Sequence, residues 1–236
     1  MSIRYRSTAA AAVVLMASAC APDQVAAPSS TQVRAHTPAS PAGAAVHHRF
    51  VDGPPPDFAT VDRGRSARPG FVVRAGVLTH AAPTAPESAA YLWARPPRGS
   101  VTRIGATAVF PAADAGSVAL LVTSAPVPAA AGGAAPAASV HFVADADRWS
   151  YGVWPAGGRA QIVLAQGRYR SAIDRTAARF EVEVSGATAT IVLPDGTAAV
   201  VTDHRIVDTR GAVATWELYE SVPGLTPAGL TEVWMS

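Results

Sequence analysis

The feature that most constrains the fold is a series of short segments in which apolar and polar residues alternate with a period of two. In residues 178–185, ARFEVEVS, the apolar residues Phe180, Val182 and Val184 alternate with charged ones. Such alternation is typical of a β-strand with one buried face. No window of the chain keeps the 3.6-residue period of an amphipathic helix beyond a turn or two. The pattern therefore predicts an all-β fold.

Turn residues divide these segments at regular intervals. Ser185-Gly186 and Pro194-Asp195-Gly196 separate three alternating runs that end at Thr202, which predicts a three-stranded antiparallel meander. About a dozen short strands without crossover helices indicate an antiparallel β-sandwich or jelly roll over residues 70–236. The other predicted strands are FVVRAGVLT, AYLW, TRIGATAVF, SVALLVT, SVHFVAD, WSYGVW, AQIVLA, HRIVD, ATWELYE and TEVW. We expect SAPVPAAAGGAAPAA, residues 124–138, to be a surface loop between two of them.

The first 19 residues have the organisation of a signal peptide. Arg4 and Arg6 form a cationic start, an apolar stretch follows, and the small residues Ala17-Ser18-Ala19 precede Cys20. The apolar stretch is well short of the ~20 residues that a membrane-spanning helix needs. We therefore expect an exported protein whose domain begins after a cleaved segment.

Cys20 is the single cysteine of the chain, and it directly follows this cleavage signal. The arrangement resembles a bacterial lipoprotein signal, which implies that Cys20 carries a diacylglyceryl group and anchors the chain to the outer face of the cell membrane. The alternative is simple secretion, because Ala17-Ser18-Ala19 also satisfies the A-x-A rule. With one cysteine there is no internal disulfide, so a core must hold the domain together.

Residues 20–69 are dominated by Ala, Pro, Ser, Thr and Gly and include Pro54-Pro55-Pro56. A segment of this composition buries too little apolar surface to offset its chain entropy. The composition therefore predicts a disordered tether over 20–69. The chain then divides into a signal peptide at 1–19, the tether, and a β-sandwich domain at 70–236.

The charge pattern argues against nucleic acid as a partner. All 19 cationic side chains are arginines, and removal of Arg4 and Arg6 with the signal peptide leaves 17 of them against 17 acidic residues. A basic footprint for nucleic acid is therefore missing, and so is a polybasic cluster for a membrane surface.

The order of several segments resembles a known architecture. Gly76-Val77-Leu78, then RIGATAVF, SVHFVADADRWSYGVW, a meander with LPDG, and WELYE near the end look like the concanavalin A or laminin-G type of jelly roll. More narrowly, they resemble actinobacterial secreted lipoproteins with such a domain. The resemblance implies a fold but not an activity, because this architecture hosts lectins, adhesion modules, glycosidases and lyases.

Aromatic residues on two predicted strands are the candidate ligand-binding residues. Trp149 and Tyr151 share one strand face and Trp154 takes the other, while Glu217 and Tyr219 share a face of a later strand. Aromatic rings on a sheet can stack on sugars, and a carboxylate can accept hydrogen bonds from their hydroxyls. Packing in the core of the sandwich is the alternative for the aromatic residues, and an ion pair at its rim is the alternative for Glu217.

Four glutamates are the candidate acids and bases for an enzyme that acts on polysaccharides. Glu181 and Glu183 share a strand face, whereas Glu217 and Glu220 lie three residues apart and point to opposite faces. An exposed strand face paired with Arg179 is the simpler explanation for the first pair. No residue is therefore assigned a catalytic role.

Signals for a metal or cofactor are few. Asp145 and Asp147 could both contribute to a Ca²⁺ site at the end of a strand, but the segment 145–148 equally fits a turn. The histidines lack the spacing of metal ligands. We expect no cofactor and assign no metal site.

Three functions fit these observations. The first is a cell-surface lipoprotein whose non-catalytic β-sandwich binds envelope or host carbohydrate. The second is a structural or protein-interaction lipoprotein. The third is a polysaccharide hydrolase or lyase. The sequence favours the first function and leaves the oligomeric state open.

Overall fold

The computed structural model describes residues 30–35, 43–51, 53, 57–62, 70–81, 88–126, 138–155, 161–173, 175–209, 211–221 and 225–236. The regular elements of this part of the chain are sixteen strands and the 3₁₀ helix His204–Thr209, joined by turns and loops. The strands are β1 (Ser30–Ala35), β2 (Val46–Arg49), β3 (Ala59–Asp62), β4 (Phe71–Arg74), β5 (Val77–His80), β6 (Ser88–Ala94), β7 (Arg103–Val109), β8 (Ser117–Thr123), β9 (Ser139–Ala144), β10 (Arg148–Trp154), β11 (Ile162–Arg168), β12 (Ala177–Ser185), β13 (Thr188–Val192), β14 (Thr197–Thr202), β15 (Val213–Glu220) and β16 (Gly229–Met235).

The strands form two antiparallel sheets. The nine-stranded sheet has the order β1-β14-β13-β12-β7-β16-β5-β4, and β2 also pairs with β16. The seven-stranded sheet has the order β11-β10-β9-β8-β15-β6-β3. Strands that are distant in sequence lie side by side in both sheets, as in a jelly roll. The predicted all-β antiparallel β-sandwich is confirmed.

The predicted meander is also present, as β12, β13 and β14. Its second turn depends on Asp195, whose carboxylate accepts a hydrogen bond from the backbone N–H of Thr197 at 3.0 Å. Gly196 follows with a φ of 76°, a conformation that a residue with a side chain rarely adopts. The local chemistry that identified this turn in the sequence therefore produces it in the structure.

The apolar faces of the two sheets meet in one core. Trp216 points inward from β15, stacks on Phe58 with ring centres 5.5 Å apart, and donates its indole N–H to the carbonyl of Gly105 in the opposite sheet at 2.9 Å. This hydrogen bond satisfies the buried indole nitrogen and ties the sheets together. The largest fully buried side chains are Trp216, Trp234, Tyr151, Phe50, Phe110, Phe142, Phe180, Leu78, Leu92, Ile104, Leu120 and Leu121.

Two regions of the chain differ from the sequence-based expectation. Strands β1, β2 and β3 lie within residues 20–69, where the composition predicted a disordered tether, and Phe50 is fully buried among the core residues. The run HRIVD is a 3₁₀ helix instead of a strand, because Asp203 accepts a hydrogen bond from the backbone N–H of Arg205 at 2.9 Å and starts the turn.

Other predictions fall on parts of the chain that the structure does not describe. The signal peptide at 1–19, Cys20 and residues 127–137 of the predicted loop lie outside the described residues, and these assignments stay predictions. None of the helical segments that are described is long and apolar enough to cross a bilayer.

Candidate functional site: a polar concavity on the seven-stranded sheet

The outer face of the seven-stranded sheet carries a group of neighbouring polar residues on β9, β10 and β11. Trp149, Tyr151 and Val153 of β10 point into the core, so the residues between them point outward. Ser150 pairs with Val143 of β9 on one side and with Gln166 of β11 on the other. These three residues therefore stand in a row across three strands.

This row is part of an open concavity of about 580 Å³, which we call the polar concavity. Gln166 contributes an amide that both donates and accepts hydrogen bonds, and Ser150 contributes a hydroxyl. Val143 supplies the apolar contact. The lining residues are Val143, Asp145, Arg148, Trp149, Ser150, Gln166, Gly167 and Arg168.

Two arginines with aspartate partners stand at one end of the polar concavity. Arg148 Nε donates to Asp145 Oδ2 at 2.6 Å, and Arg168 Nη1 donates to Asp147 Oδ2. The hydrogen bond to Asp145, together with its negative charge, raises the pKa of the Arg148 guanidinium above its usual value. Most of the surface of both guanidinium groups faces solvent.

A histidine and a glutamate meet further along the same face. His141 of β9 and Glu217 of β15 flank β8, and His141 Nε2 lies 3.3 Å from Glu217 Oε2. Ala119 is the direct cross-strand neighbour of Glu217 in β8, and its small side chain leaves room for the contact. Both side chains are largely buried. His141 can orient the carboxylate of Glu217, which then accepts hydrogen bonds from a ligand, or the two side chains can exchange a proton.

The predicted ligand-binding residues do not form one site. Tyr151 is fully buried in the core, where burial and then the charge of Asp203 raise the pKa of its phenol, so it cannot touch a ligand. The ring of Trp149 packs against Phe142 in the core, and only 6% of the residue is exposed. Both residues are thus core residues, which leaves Tyr151 out of reach of a ligand, while Trp149 also lines the polar concavity.

The other three predicted residues lie on the outer face, where Trp154 is separate from Glu217 and Tyr219. Glu217 and Tyr219 share that face, and Tyr219 packs beside Ala89 and Tyr91. Trp154 is half-buried on β10, and β9 and β8 separate it from the strand of Glu217. Three strand spacings amount to ~14 Å. Trp154 and Glu217 thus lie too far apart to hold the same sugar ring.

The four candidate glutamates have separate environments. Glu181 is buried on the outer face of the nine-stranded sheet, where its Oε2 accepts from the Trp234 indole at 2.9 Å. Glu220 points the other way from Glu217 and contacts buried His80 at 2.6 Å. Glu183 is exposed. The predicted opposite orientation of Glu217 and Glu220 is confirmed.

The two aspartates considered for Ca²⁺ are engaged by other side chains. Asp145 accepts from Ser117 with one oxygen and from Arg148 with the other, and Asp147 accepts from Arg168. Within the described ranges, no group of three or more His, Cys, Asp or Glu residues is placed to hold a metal ion. This donor set fits arginine pairing and does not fit a calcium shell.

Several residues of the polar concavity were missed by the sequence analysis. Arg148, Ser150, Gln166 and Arg168 were not singled out, nor was His141. A signal was present for the first two, because the alternation that groups Trp149 with Tyr151 also places Arg148 and Ser150 on the opposite face. The sequence gives no register between β10 and β11, so the pairing of these residues with Gln166 and Arg168 could not be read from it.

The overall architecture is shared with several solved structures of low sequence identity. The carbohydrate-binding module CBM66 from Bacillus subtilis aligns with a TM-score of 0.51 and 15% identity, over 75% of this chain and 93% of that module. The exoplasmic/lumenal domain of VIP36, in its Ca²⁺/Man3GlcNAc-bound form, aligns with a TM-score of 0.53 and 9% identity, over 76% and 83% of the two chains. The legume lectin-like domain from Entamoeba histolytica gives 0.54 and 8%, over 76% and 89%.

These similarities identify the fold. The chain shares the antiparallel β-sandwich fold of these structures. No protein-family model matches it, and no curated protein sequence matches it either. The predicted concanavalin A-like architecture is thus confirmed at the level of structure.

Proposed function

We propose that this protein is an extracytoplasmic, non-catalytic module that binds polysaccharide through the polar concavity. The observation that carries the proposal is an open, polar-lined surface on one sheet of a lectin-like sandwich. Similar structures include a carbohydrate-binding module and a lumenal domain in complex with Man3GlcNAc. Sugar hydroxyls need paired donors and acceptors, which Gln166 and Ser150 supply.

The shape of the surface favours an internal segment of a polymer over a chain end. Gln166 also lines a second open concavity of about 460 Å³, together with Thr31, Val163, Leu164 and Ala165. Gln166, on the edge strand β11, therefore lines both concavities. Both are open, so a linear polysaccharide can lie along either one without being enclosed by it.

Hydrogen bonds, and not ring stacking, dominate this mode of binding. Trp149 is the single aromatic residue among those that line the polar concavity, and its ring packs in the core. Each neutral hydrogen bond contributes only about 0.5–1.5 kcal/mol net. We therefore expect weak binding per repeat unit and tighter binding to polymers than to oligosaccharides, since a polymer presents many sites.

The proposal includes a lipid anchor at Cys20 on the outer face of the cell membrane. The start of β1 at Ser30 is only ten positions along the chain from Cys20. Ten residues span at most ~36 Å when fully extended. A lipidated chain would therefore hold the sandwich close to the membrane, in contact with the innermost envelope polymers. Replacement of Cys20 by Ser should release the protein from membranes, and retention of the variant in the membrane fraction would contradict the anchor.

The central experiment incubates the mature chain, Cys20 to Ser236, with a panel of soluble and insoluble envelope polysaccharides. Protein retention is measured alongside new reducing ends and unsaturated sugars. Retention without products is the expected result. Failure of every polysaccharide to retain the protein would overturn the proposal and favour a protein partner.

A second candidate function, a polysaccharide hydrolase or lyase, is favoured by one observation. The largely buried His141–Glu217 pair is the kind of arrangement that can transfer a proton. If the protein releases new sugar ends, Glu217→Gln should abolish the release, whereas Glu183→Gln should not. Release that survives Glu217→Gln would exclude the pair as the catalytic group.

A further inference from the structure

Arg148 and Arg168 occupy directly opposite positions in the β10–β11 pair. Side chains at such positions have their Cβ atoms about 5 Å apart, and like charges there destabilise a sheet. The side chains of Arg148 and Arg168 are 66% and 74% exposed, so both guanidinium groups extend from the sheet into solvent. An anion held between them would relieve the repulsion.

The neighbouring aspartates neutralise this pair only in part. Asp145 and Asp147 are 22% and 43% exposed, less than the arginines that they contact. A ligand that approaches the polar concavity therefore meets mainly guanidinium surface, although the four formal charges cancel.

Each arginine also retains hydrogen-bond donors that the aspartates do not use. Among the described residues, the side-chain hydrogen bonds of the pair engage Nε of Arg148 and Nη1 of Arg168. A guanidinium carries five N–H donors in a planar fork that matches the oxygens of a carboxylate or a phosphate. The remaining donors can therefore hold an oxyanion while the aspartates fix the position of both side chains.

We propose that the polar concavity selects an anionic polysaccharide and binds its negatively charged group, a uronate carboxylate or a backbone phosphodiester, between Arg148 and Arg168. This inference rests on the proposed function, because it names the class of polysaccharide bound at the same surface. Gln166 and Ser150 then contact the neighbouring hydroxyls. Val143 on β9, beside Ser150, accepts the C–H face of the sugar.

The test uses the mature chain and three probes: polygalacturonate, poly(glycerol phosphate) and neutral dextran. Retention is measured by affinity electrophoresis at low and high salt. We expect at least one anionic probe to retain the protein more strongly than dextran does, with retention falling as salt rises. The two anionic probes distinguish a carboxylate ligand from a phosphodiester.

Arg148→Gln and Arg168→Gln should each weaken anionic retention about tenfold or more, since a hydrogen bond to a charged group contributes about 1.5–3 kcal/mol. Arg148→Lys should restore part of the loss, because it keeps the charge and loses the fork. Arg74→Gln is the matched control, because Arg74 is an exposed arginine on β4 of the other sheet, and it should change retention less than twofold. Thermal unfolding of all four variants should match that of the wild type, because the side chains are exposed.

Two outcomes would overturn the inference and leave the proposed function intact. One is equal, salt-independent retention on dextran, and the other is the same loss in Arg74→Gln as in Arg148→Gln. Retention of double-stranded DNA as strong as that of polygalacturonate would overturn it as non-specific polyanion binding. Failure of all three polysaccharides would overturn the inference, and failure of the whole envelope panel as well would overturn the proposed function.

Discussion

The outer faces of the two sheets use similar residue types in opposite ways. On the nine-stranded sheet, the Trp234 indole lies against Gly105, donates to Glu181 at 2.9 Å, and is covered by the Arg179 guanidinium at 4.5 Å from the ring centre. Trp234 is consequently fully buried although it lies outside the main core. On the seven-stranded sheet, Arg148 and Arg168 keep most of their surface exposed.

Glycine at position 105 explains how a tryptophan can be buried on an outer face. A Cβ at this position would lie 2.2 Å from the indole carbons of Trp234, while the carbonyl of Gly105 accepts the hydrogen bond of Trp216 from the core. Gly105 therefore contacts Trp234 on the outer face of the sheet and Trp216 on the core side. The comparison shows that aromatic and charged residues indicate a ligand site only where neighbouring side chains leave them accessible.

The largest expected effect is on the nine-stranded face. Trp234→Ala should lower the free energy of unfolding by about 3–5 kcal/mol, because it removes a fully buried ring and leaves Glu181 without its indole donor. Urea unfolding measures this change. Trp154→Ala, on the opposite sheet, is the control and should cost less than half as much, since Trp154 is only half-buried. An equal loss of unfolding free energy in the two variants would show that the tryptophans on the two outer faces do not differ in their contribution to stability.

A smaller effect, on binding alone, is expected on the seven-stranded face. Gln166→Ala should weaken polysaccharide retention about three- to tenfold, because it removes hydrogen bonds of about 0.5–1.5 kcal/mol each. The free energy of unfolding should stay within about 0.5 kcal/mol of the wild type, since the side chain is exposed. Retention is measured by affinity electrophoresis.

Gln32→Ala is the matched control for this variant, because Gln32 is an exposed glutamine on β1 of the other sheet. It should leave retention unchanged. If both variants retain polysaccharide as the wild type does, the polar concavity is not the binding surface.

The smallest expected effect is on the pH dependence of stability, through Glu232 on the outer face of the nine-stranded sheet. Partial burial raises the pKa of Glu232, but hydrogen bonds from His47, Arg49 and Thr107 outweigh it and hold the pKa below its ordinary value of 4.5. A carboxylate whose folded pKa is depressed contributes stability above its unfolded pKa and loses it as pH falls through the folded value.

Glu232→Gln should therefore be less stable than the wild type at pH 6, and the difference should shrink as the pH falls below about 4.5. Urea unfolding at a series of pH values measures this difference. Glu183→Gln provides the control, because Glu183 is an exposed carboxylate on the same face, and its difference from the wild type should vary less with pH. A Glu232→Gln difference that grows on acidification would have the wrong sign.

Local chemistry made most strands predictable. The alternation in ARFEVEVS and the turn at Pro194-Asp195-Gly196 correspond to β12 and the β13–β14 turn. The strand predicted for HRIVD was wrong. Its β-branched residues favour a strand, but the Asp203 side chain favours a turn, because it accepts a hydrogen bond from the backbone N–H of Arg205. In that case a side-chain contact overrode the residue propensity.

The early strands were missed for a different reason. Strand β1 has the sequence STQVRA, of which residues 31–35 are exposed, and its strand conformation comes from pairing with β14, about 170 residues later. Strand β2 likewise depends on β16. The composition around these segments resembles a tether, and nothing local identifies the distant partners.

By itself, the sequence determined the strand content, the turn positions and which residues of each strand share a face, because these properties depend on neighbours a few residues apart. The sequence predicted that Trp149 and Tyr151 share one face of β10, but it did not decide whether this face packs in the core. Only the tertiary structure decided that Arg148, Ser150, Gln166 and Arg168 stand together, because their proximity depends on the register between β10 and β11. It likewise brought His141 and Glu217 together across β8. The accessible chemistry of this protein is thus set by cross-strand register, which local sequence does not encode.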